Sequence, residues 1–93
     1  MGPNSLFPIR VTVTEATLNG GLVKGQAFRA IFDRDDSELS EGIRRAFTRL
    51  GTGECNTKGK PVDIYKDPDT GHLWGLSQVR PERCFHLHPF TGA

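Results

Sequence analysis

One segment near the middle of the chain carries the clearest structural signal, a stripe of apolar side chains at helical spacing. The stripe lies between residues 35 and 50 and consists of Leu39, Ile43, Ala46, Phe47 and Leu50. Asp35 is in place to cap the N-terminus, and Glu38 follows three residues later to complete a capping box. Gly51 follows the last apolar position and is expected to end the helix in a left-handed conformation. Another element has to cover this stripe, so the flanking segments must supply a sheet.

The segments on both sides of the helix show strand patterns. Residues 9–14 alternate apolar and polar side chains, with Ile9, Val11 and Val13 predicted to face inward. An Asn-Gly-Gly turn at residues 19–21 leads to a second strand that reaches residues 27–32. After the helix, residues 51–61 are predicted to form a loop. Residues 62–66 and 72–76 are predicted to form a hairpin closed by Asp-Pro-Asp-Thr-Gly, and residues 84–88 a short last strand.

The element order is therefore β-β-α-β-β, or the same order with one further strand. It predicts a single α+β domain over residues 1–93, with residues 1–8 as an irregular lead-in. One helix would pack on a mostly antiparallel sheet of four or five strands, an order shared with β-grasp domains. Such a sheet has two edges that must be covered. The expected core residues are Val11, Phe32, Ile43, Phe47, Ile64 and Trp74.

Charge and cysteine content restrict the classes of function. The formal net charge of +1 argues against a partner recognised by charge alone, because nucleic-acid binders usually carry a clear basic excess. Two cysteines are too few to staple a small secreted fold. The first eight residues lack a basic region followed by a long apolar run, and no segment approaches about 18 consecutive apolar residues. These features predict a cytoplasmic protein without membrane association.

The C-terminal segment contains the sharpest cluster of metal-binding side chains. On a strand, alternate side chains share a face, so Cys84, His86 and His88 are expected on one side. A thiolate and two imidazoles suit zinc, and Cys55 or His72 could complete the tetrahedron. Three interpretations stay open: a zinc site, a polar strand with ordinary histidines, and a disulfide between the two cysteines.

Basic residues gather at the end of the helix and in the segment that follows it. Six of them could contact phosphates: Arg44, Arg45, Arg49, Lys58, Lys60 and Lys66. Tyr65 and Trp74 could supply stacking surfaces for bases. This pattern predicts a nucleic-acid-binding module formed by the helix end, loop 51–61 and the hairpin at 62–76. The alternative is a solvated hairpin whose Trp74 lies in the core.

The sequence of that hairpin also resembles a known one. Residues 65–74 read Tyr-Lys-Asp-Pro-Asp-Thr-Gly-His-Leu-Trp. This is similar to the Tyr-Arg/Lys-Asp-Pro-x-Thr-Gly-x-x-Trp hairpin in the DNA-binding domain of histone-like nucleoid-structuring proteins, and the resemblance implies DNA binding. That family continues with a Gly-Arg-Gly-Arg-like loop for the minor groove. Here residues 75–80 read Gly-Leu-Ser-Gln-Val-Arg instead.

Catalytic motifs are missing from the sequence. It has no nucleophile elbow, no phosphate-binding glycine loop and no dinucleotide fingerprint. A small toxin-like nuclease could still use His72, His86 or His88 as an acid or base, with Asp63 or Glu82 as a partner. The sequence favours a protein without enzymatic activity, and it predicts no cofactor other than the zinc considered above.

The second strand carries apolar residues on both of its faces, which predicts that something besides the helix covers it. A protein interface is therefore expected there, formed by Phe28, Ala30, Ile31 and Phe32. The leading hypothesis is a small binding or accessory protein that acts through protein contacts, with another protein or with a second copy of itself as a homodimer. Nucleic-acid binding and zinc binding are the alternatives.

Overall fold

The computed structural model describes residues 9–17, 21–55 and 59–89, with the backbone alone described at residues 31–33. Its elements in chain order are β1 (Arg10–Ala16), β2 (Ala27–Asp35), α1 (Ser37–Ala46), β3 (Thr48–Cys55), β4 (Pro61–Lys66), β5 (Leu73–Ser77) and β6 (Arg83–Pro89). The strands form a closed barrel in the order β1-β2-β6-β5-β4-β3, and all neighbouring strands are antiparallel. The predicted α+β fold, an open β-grasp-like sheet of four or five strands, is therefore wrong. The predicted lead-in at residues 1–8 lies outside the described residues.

Closure of the barrel depends on β3, which occupies the segment predicted to be the helix end and a loop. Gly53 of β3 lies opposite Val13 of β1, and Gly51 lies opposite Ala16. A Cβ atom on Gly53 would lie only 2.6 Å from the carbonyl oxygen of Thr12. Glycine is needed here because the two backbones approach closely, and neither glycine has a positive φ. The expected helix end at Gly51 is therefore wrong, and residues 51–55 of the expected loop at 51–61 belong to a strand, whereas residues 56–58 lie outside the described residues.

Helix α1 is shorter than predicted and begins one residue later. The carboxylate of Asp36, rather than that of Asp35, caps it by accepting a hydrogen bond from the Leu39 N–H at 3.0 Å. The start of the helix is tied to the turn before β6, because the Asp36 N–H (2.8 Å) and the buried Ser40 hydroxyl (2.9 Å) both donate to the Glu82 carbonyl. No helix among the described residues is long and apolar enough to cross a membrane.

The inside of the barrel holds the larger of two hydrophobic clusters, called here the interior cluster. Its buried members are Val11, Val13, Phe28, Val62, Ile64, Phe85 and Leu87. The prediction that Ile9, Val11 and Val13 face inward is confirmed, with Ile9 partly buried against the cluster. Fully buried apolar side chains of this size each contribute about 1.5–3 kcal/mol relative to exposure.

A second cluster lies between the helix and the outer surface of β4, β5 and β6. It is called here the helix-side cluster and contains Ile43, Tyr65, Leu76 and Cys84, with Leu39, Phe47 and Trp74 packed against it. Five of the six predicted core residues therefore belong to a hydrophobic cluster, but they divide between two clusters instead of forming one core. Val11 and Ile64 lie inside the barrel, whereas Ile43, Phe47 and Trp74 lie outside it. The Phe32 side chain is outside the described residues.

The two predicted hairpins are present. β1 pairs with β2, and β4 pairs with β5 around the turn at residues 67–71. Gly71 has a φ of 80° in this turn, and the Asp67 carboxylate accepts a hydrogen bond from the Asp69 N–H at 2.8 Å. That backbone hydrogen bond lowers the pKa of Asp67. The sequence Asp-Pro-Asp-Thr-Gly is thus accounted for by the turn alone.

Candidate functional site

Four aromatic side chains meet on the outside of the barrel, on β5, on β6 and in the turn before β5. They are His72, Trp74, His86 and His88, called here the histidine–tryptophan face. Alternation along the strands places them there, because Leu73, Phe85 and Leu87 pack in or against the interior cluster and their neighbours point outward. Trp74 and His86 are opposite each other in the β5–β6 register. The sequence pattern thus puts the polar aromatic rings of two strands on one surface.

The rings of this face are in mutual contact, with His86 at the centre. The His86 ring stacks on Trp74, with 4.7 Å between centroids and 24° between planes. His72 lies 5.0 Å from His86 at 51°, and His88 lies 5.4 Å away at 87°, edge-on. Offset stacked and edge-to-face pairs at these separations are the favourable arrangements of aromatic rings. His86 is therefore held in one orientation by three neighbours.

His86 is also electrostatically unusual. Its Nε2 atom is buried and has no hydrogen-bond partner among the described residues. Burial lowers the pKa of His86 below its ordinary value of 6.5, and the nearby His72 and His88 lower it further. Its imidazole is consequently neutral at pH 7, so at this pH it acts as an aromatic ring rather than as a cation.

A row of basic side chains lies next to these rings. His88 of β6 is opposite Arg29 of β2, and Arg29 is opposite Arg10 of β1. Both arginines are exposed, and the inward positions beside Arg29 are taken by Phe28 and Ala30. Arg10, Arg29 and His88 are called here the basic row. The outer surface therefore carries an aromatic pair, Trp74 and His86, beside a line of two arginines and a histidine.

Of the residues predicted to bind zinc, His86 and His88 are in contact, whereas Cys84 and Cys55 lie in two different hydrophobic clusters. Cys84 is fully buried in the helix-side cluster, where its Sγ lies 3.7 Å from the Arg34 carbonyl oxygen. Cys55 packs instead against the interior cluster, and the two cysteines are not joined in a disulfide. His86 and His88 share the outer face with Cys84, as the alternation predicted. Within residues 9–17, 21–55 and 59–89, no group of three or more His, Cys, Asp or Glu side chains is arranged to hold a metal ion.

The basic residues predicted to bind nucleic acid are spread over the surface. Arg44 of the helix donates to the Pro81 carbonyl at 2.9 Å, and Arg49 of β3 pairs with Asp63 at 3.4 Å. Lys60 precedes β4 at one end of the barrel, and Lys66 ends that strand. Arg45 is exposed on the helix, whereas Lys58 lies outside the described residues. The described ones lie on the helix, on β3 and at or next to the ends of β4, and a shared nucleic-acid surface stays a prediction.

Two of the four residues predicted to form an interface on β2 pack toward the inside of the barrel. Phe28 is 1% exposed in the interior cluster, and Ala30 is partly buried against the same cluster. β2 pairs with β1 on one side and β6 on the other, so the predicted open sheet edge does not exist. The side chains of Ile31 and Phe32 lie outside the described residues.

No family model, no curated protein and no solved structure matches the chain. The geometry and charge of its own side chains are therefore the basis for assigning a function.

The lowered pKa of His86 predicts how stability depends on pH. Because the folded-state pKa lies below 6.5, the unfolded chain binds a proton that the folded chain does not bind between those two values. Stability is therefore expected to fall as the pH decreases through 6.5 toward the folded pKa. Urea unfolding at pH 7.5 and 5.5 measures this loss, and His86→Phe should reduce it. A histidine Cε1–H titration by NMR with no midpoint below 6.5 would contradict the prediction.

Proposed function

We propose that this protein is a non-enzymatic binding domain that holds single-stranded nucleic acid on the histidine–tryptophan face. The observation that carries the proposal is the stacked pair of Trp74 and His86 beside the basic row. Bases would stack on the rings of the face, and phosphates would lie against Arg29 and its neighbours. This combination of aromatic surface and adjacent cations is the general design of single-strand binding sites.

The aromatic pair is suited to stacking because it is rigid and partly open. Trp74 packs against the helix-side cluster along one part of its indole, and both Trp74 and His86 are only half-buried. The neutral His86 ring accepts a base without the cost of desolvating a charge. Stacking of one base on such a side chain contributes about 1–3 kcal/mol and tolerates any base.

The basic row gives the site a local excess of positive charge, although the net charge of the whole chain is small. Although the net charge is only +1, one row in register across β1, β2 and β6 consists of Arg10, Arg29 and His88. Two or three phosphate contacts are few, so the salt dependence should be shallow. Each contact to a single strand contributes a slope of about −0.7 in log K against log salt.

The hydrogen bonding of the histidine–tryptophan face favours a binding function over a catalytic one. In the part of the chain that the structure describes, no carboxylate hydrogen-bonds to the imidazole of His72, His86 or His88. A histidine that serves as a general base is commonly oriented by such a group. The Nε2 atom of His86 is also buried, which leaves it poorly placed for proton transfer to a bound molecule.

The test is the binding of a fluorescein-labelled oligothymidine of about 15 nucleotides, near the upper site size of small single-strand binding domains. Anisotropy should rise on binding, and Trp74, the one tryptophan of the chain, should lose fluorescence. Trp74→Leu keeps an apolar group against the helix-side cluster and should weaken binding about 5- to 150-fold, the equivalent of one stacked base. Arg29→Gln should make the salt slope shallower by about 0.7.

Arg45→Gln is the matched control for Arg29→Gln, since it removes an exposed arginine from the helix instead. It should leave the affinity and its salt slope unchanged. Equal effects of the two arginine substitutions would contradict the proposal. So would the absence of any anisotropy change near 1 mM protein, well above the roughly 10⁻⁴ M limit of nonspecific binding.

A further inference from the structure

A cavity of about 200 Å³ opens at the end of the barrel where β1 begins and β3 ends. It lies away from the histidine–tryptophan face, which is on the outer wall of β5 and β6. Its lining includes the apolar side chains of Ile9, Val62 and Phe85. Val62 and Phe85 are 0% and 3% exposed and belong to the interior cluster, so the floor of the cavity is the end of the core itself.

The mouth of the cavity is cationic. Lys60, Arg80 and Arg83 all line it, and no acidic side chain does among the residues that form it. Two of the three cations are already engaged. Arg80 pairs with Asp35 at 3.0 Å and with Glu82 at 3.5 Å, and the Arg83 guanidinium lies 5.9 Å from the centroid of the Phe85 ring.

Lys60 differs from the two arginines. It is exposed, and it forms no ion pair with any acid in the described part of the chain. Its backbone is fixed beside the cavity, since the Lys60 carbonyl accepts a hydrogen bond from the Cys55 N–H at 2.9 Å, directly before β4 begins. A lysine side chain that lines a cavity with apolar walls is complementary to an anion with an apolar body.

We infer that this cavity binds a small amphipathic carboxylate, with the apolar body on Val62 and Phe85 and the carboxylate at Lys60. The volume of the cavity limits the size of the ligand. The cavity is smaller than the roughly 300–1,000 Å³ that drug-sized ligands occupy. It has room for about seven water-sized groups at ~30 Å³ each, enough for a phenyl ring or a branched alkyl chain whose charged head stays at the mouth.

The inference is tested with phenylacetate and its neutral isostere phenylacetamide, each titrated into the ¹⁵N-labelled protein and followed by NMR. Phenylacetate should cause saturable shifts of the Lys60, Val62 and Phe85 amides, with a dissociation constant of about 1 mM. Phenylacetamide should bind at least about twofold more weakly, because it lacks the charge that pairs with Lys60. No saturation at about tenfold higher concentration, or equal affinity for the two compounds, would overturn the inference.

Lys60→Gln should weaken phenylacetate binding by about two- to fivefold, the range for a partly exposed ion pair, and should leave phenylacetamide binding unchanged. Lys24→Gln is the matched control, because Lys24 is an exposed lysine in the turn between β1 and β2, away from the cavity. It should have no effect on either compound. Equal losses in the two lysine variants would show nonspecific charge attraction and overturn the assignment. Both outcomes are independent of whether oligothymidine binds to the outer face.

Discussion

Replacing Gly53 with alanine should lower the free energy of unfolding by about 3 kcal/mol, enough to unfold a large fraction of a domain with marginal stability. The new methyl group would lie 2.6 Å from the Thr12 carbonyl oxygen and 3.0 Å from a methyl carbon of Val11. The first of these is a backbone atom, so relief of the clash requires β1 and β3 to separate. Those two strands form the seam that closes the barrel. The loss is measured by urea unfolding followed by circular dichroism.

Gly42→Ala is the matched control, because it makes the same chemical change in a different environment. Gly42 lies in helix α1, and a Cβ atom there would meet nothing within 4 Å. Alanine should raise the free energy of unfolding by about 0.5–1 kcal/mol through its higher helix propensity. If Gly53→Ala proved as stable as Gly42→Ala, the close pairing of β1 with β3 would be refuted.

Replacing Phe28 with alanine should cost about 3–5 kcal/mol of stability, the usual loss for a buried phenylalanine. Phe28 is 1% exposed inside the barrel, where removal of the ring leaves a cavity between Val11, Ile64 and their neighbours. The same substitution would have little effect on the stability of a monomer if Phe28 lay at a protein interface. Urea unfolding at two protein concentrations, together with the molar mass from light scattering, separates the two situations.

Val23→Ala serves as the control for Phe28→Ala. Val23 is 67% exposed, so its truncation should change stability by no more than about 0.5 kcal/mol. A Phe28→Ala protein with normal stability and an altered molar mass would contradict the burial of Phe28 in the core. It would support the interface that the sequence suggested.

Local patterns predicted much of the secondary structure. The alternation of Val11 and Val13, the helical spacing of Leu39 and Ile43, and the turn ending at Gly71 each depend on neighbours within a few residues. The secondary-structure predictions failed where contacts with residues distant in sequence determine the structure. Leu50 fits the helical stripe, yet it is 6% exposed in β3, and the glycines after it look like a loop until β1 is placed beside them.

The same limit applies to the candidate site. The sequence indicated that His86 and His88 share a face with Cys84, since period-two alternation requires it. It could not show that His86 stacks on Trp74, because that contact depends on the register of β5 with β6. Arg10 and Arg29 were missed for a stronger reason. Their approach to His88 follows from the pairing of β2 with β6, and nothing in the local sequence of β2 indicates that partner.

The strand order of the barrel also has a kinetic consequence. β2 obtains its second neighbouring strand only when β6 is available. Arg29 pairs with His88, and most of the chain lies between these two residues in sequence. Pairings between residues so distant in sequence form slowly, and β-rich domains with such topologies fold in roughly milliseconds to seconds. Until β6 arrives, β2 and β5 each present an unpaired edge and the interior cluster lacks Phe85 and Leu87. During synthesis the β1–β2 hairpin and the helix therefore leave the ribosome well before the barrel can close, and the chain completes its folding only after β6 has emerged.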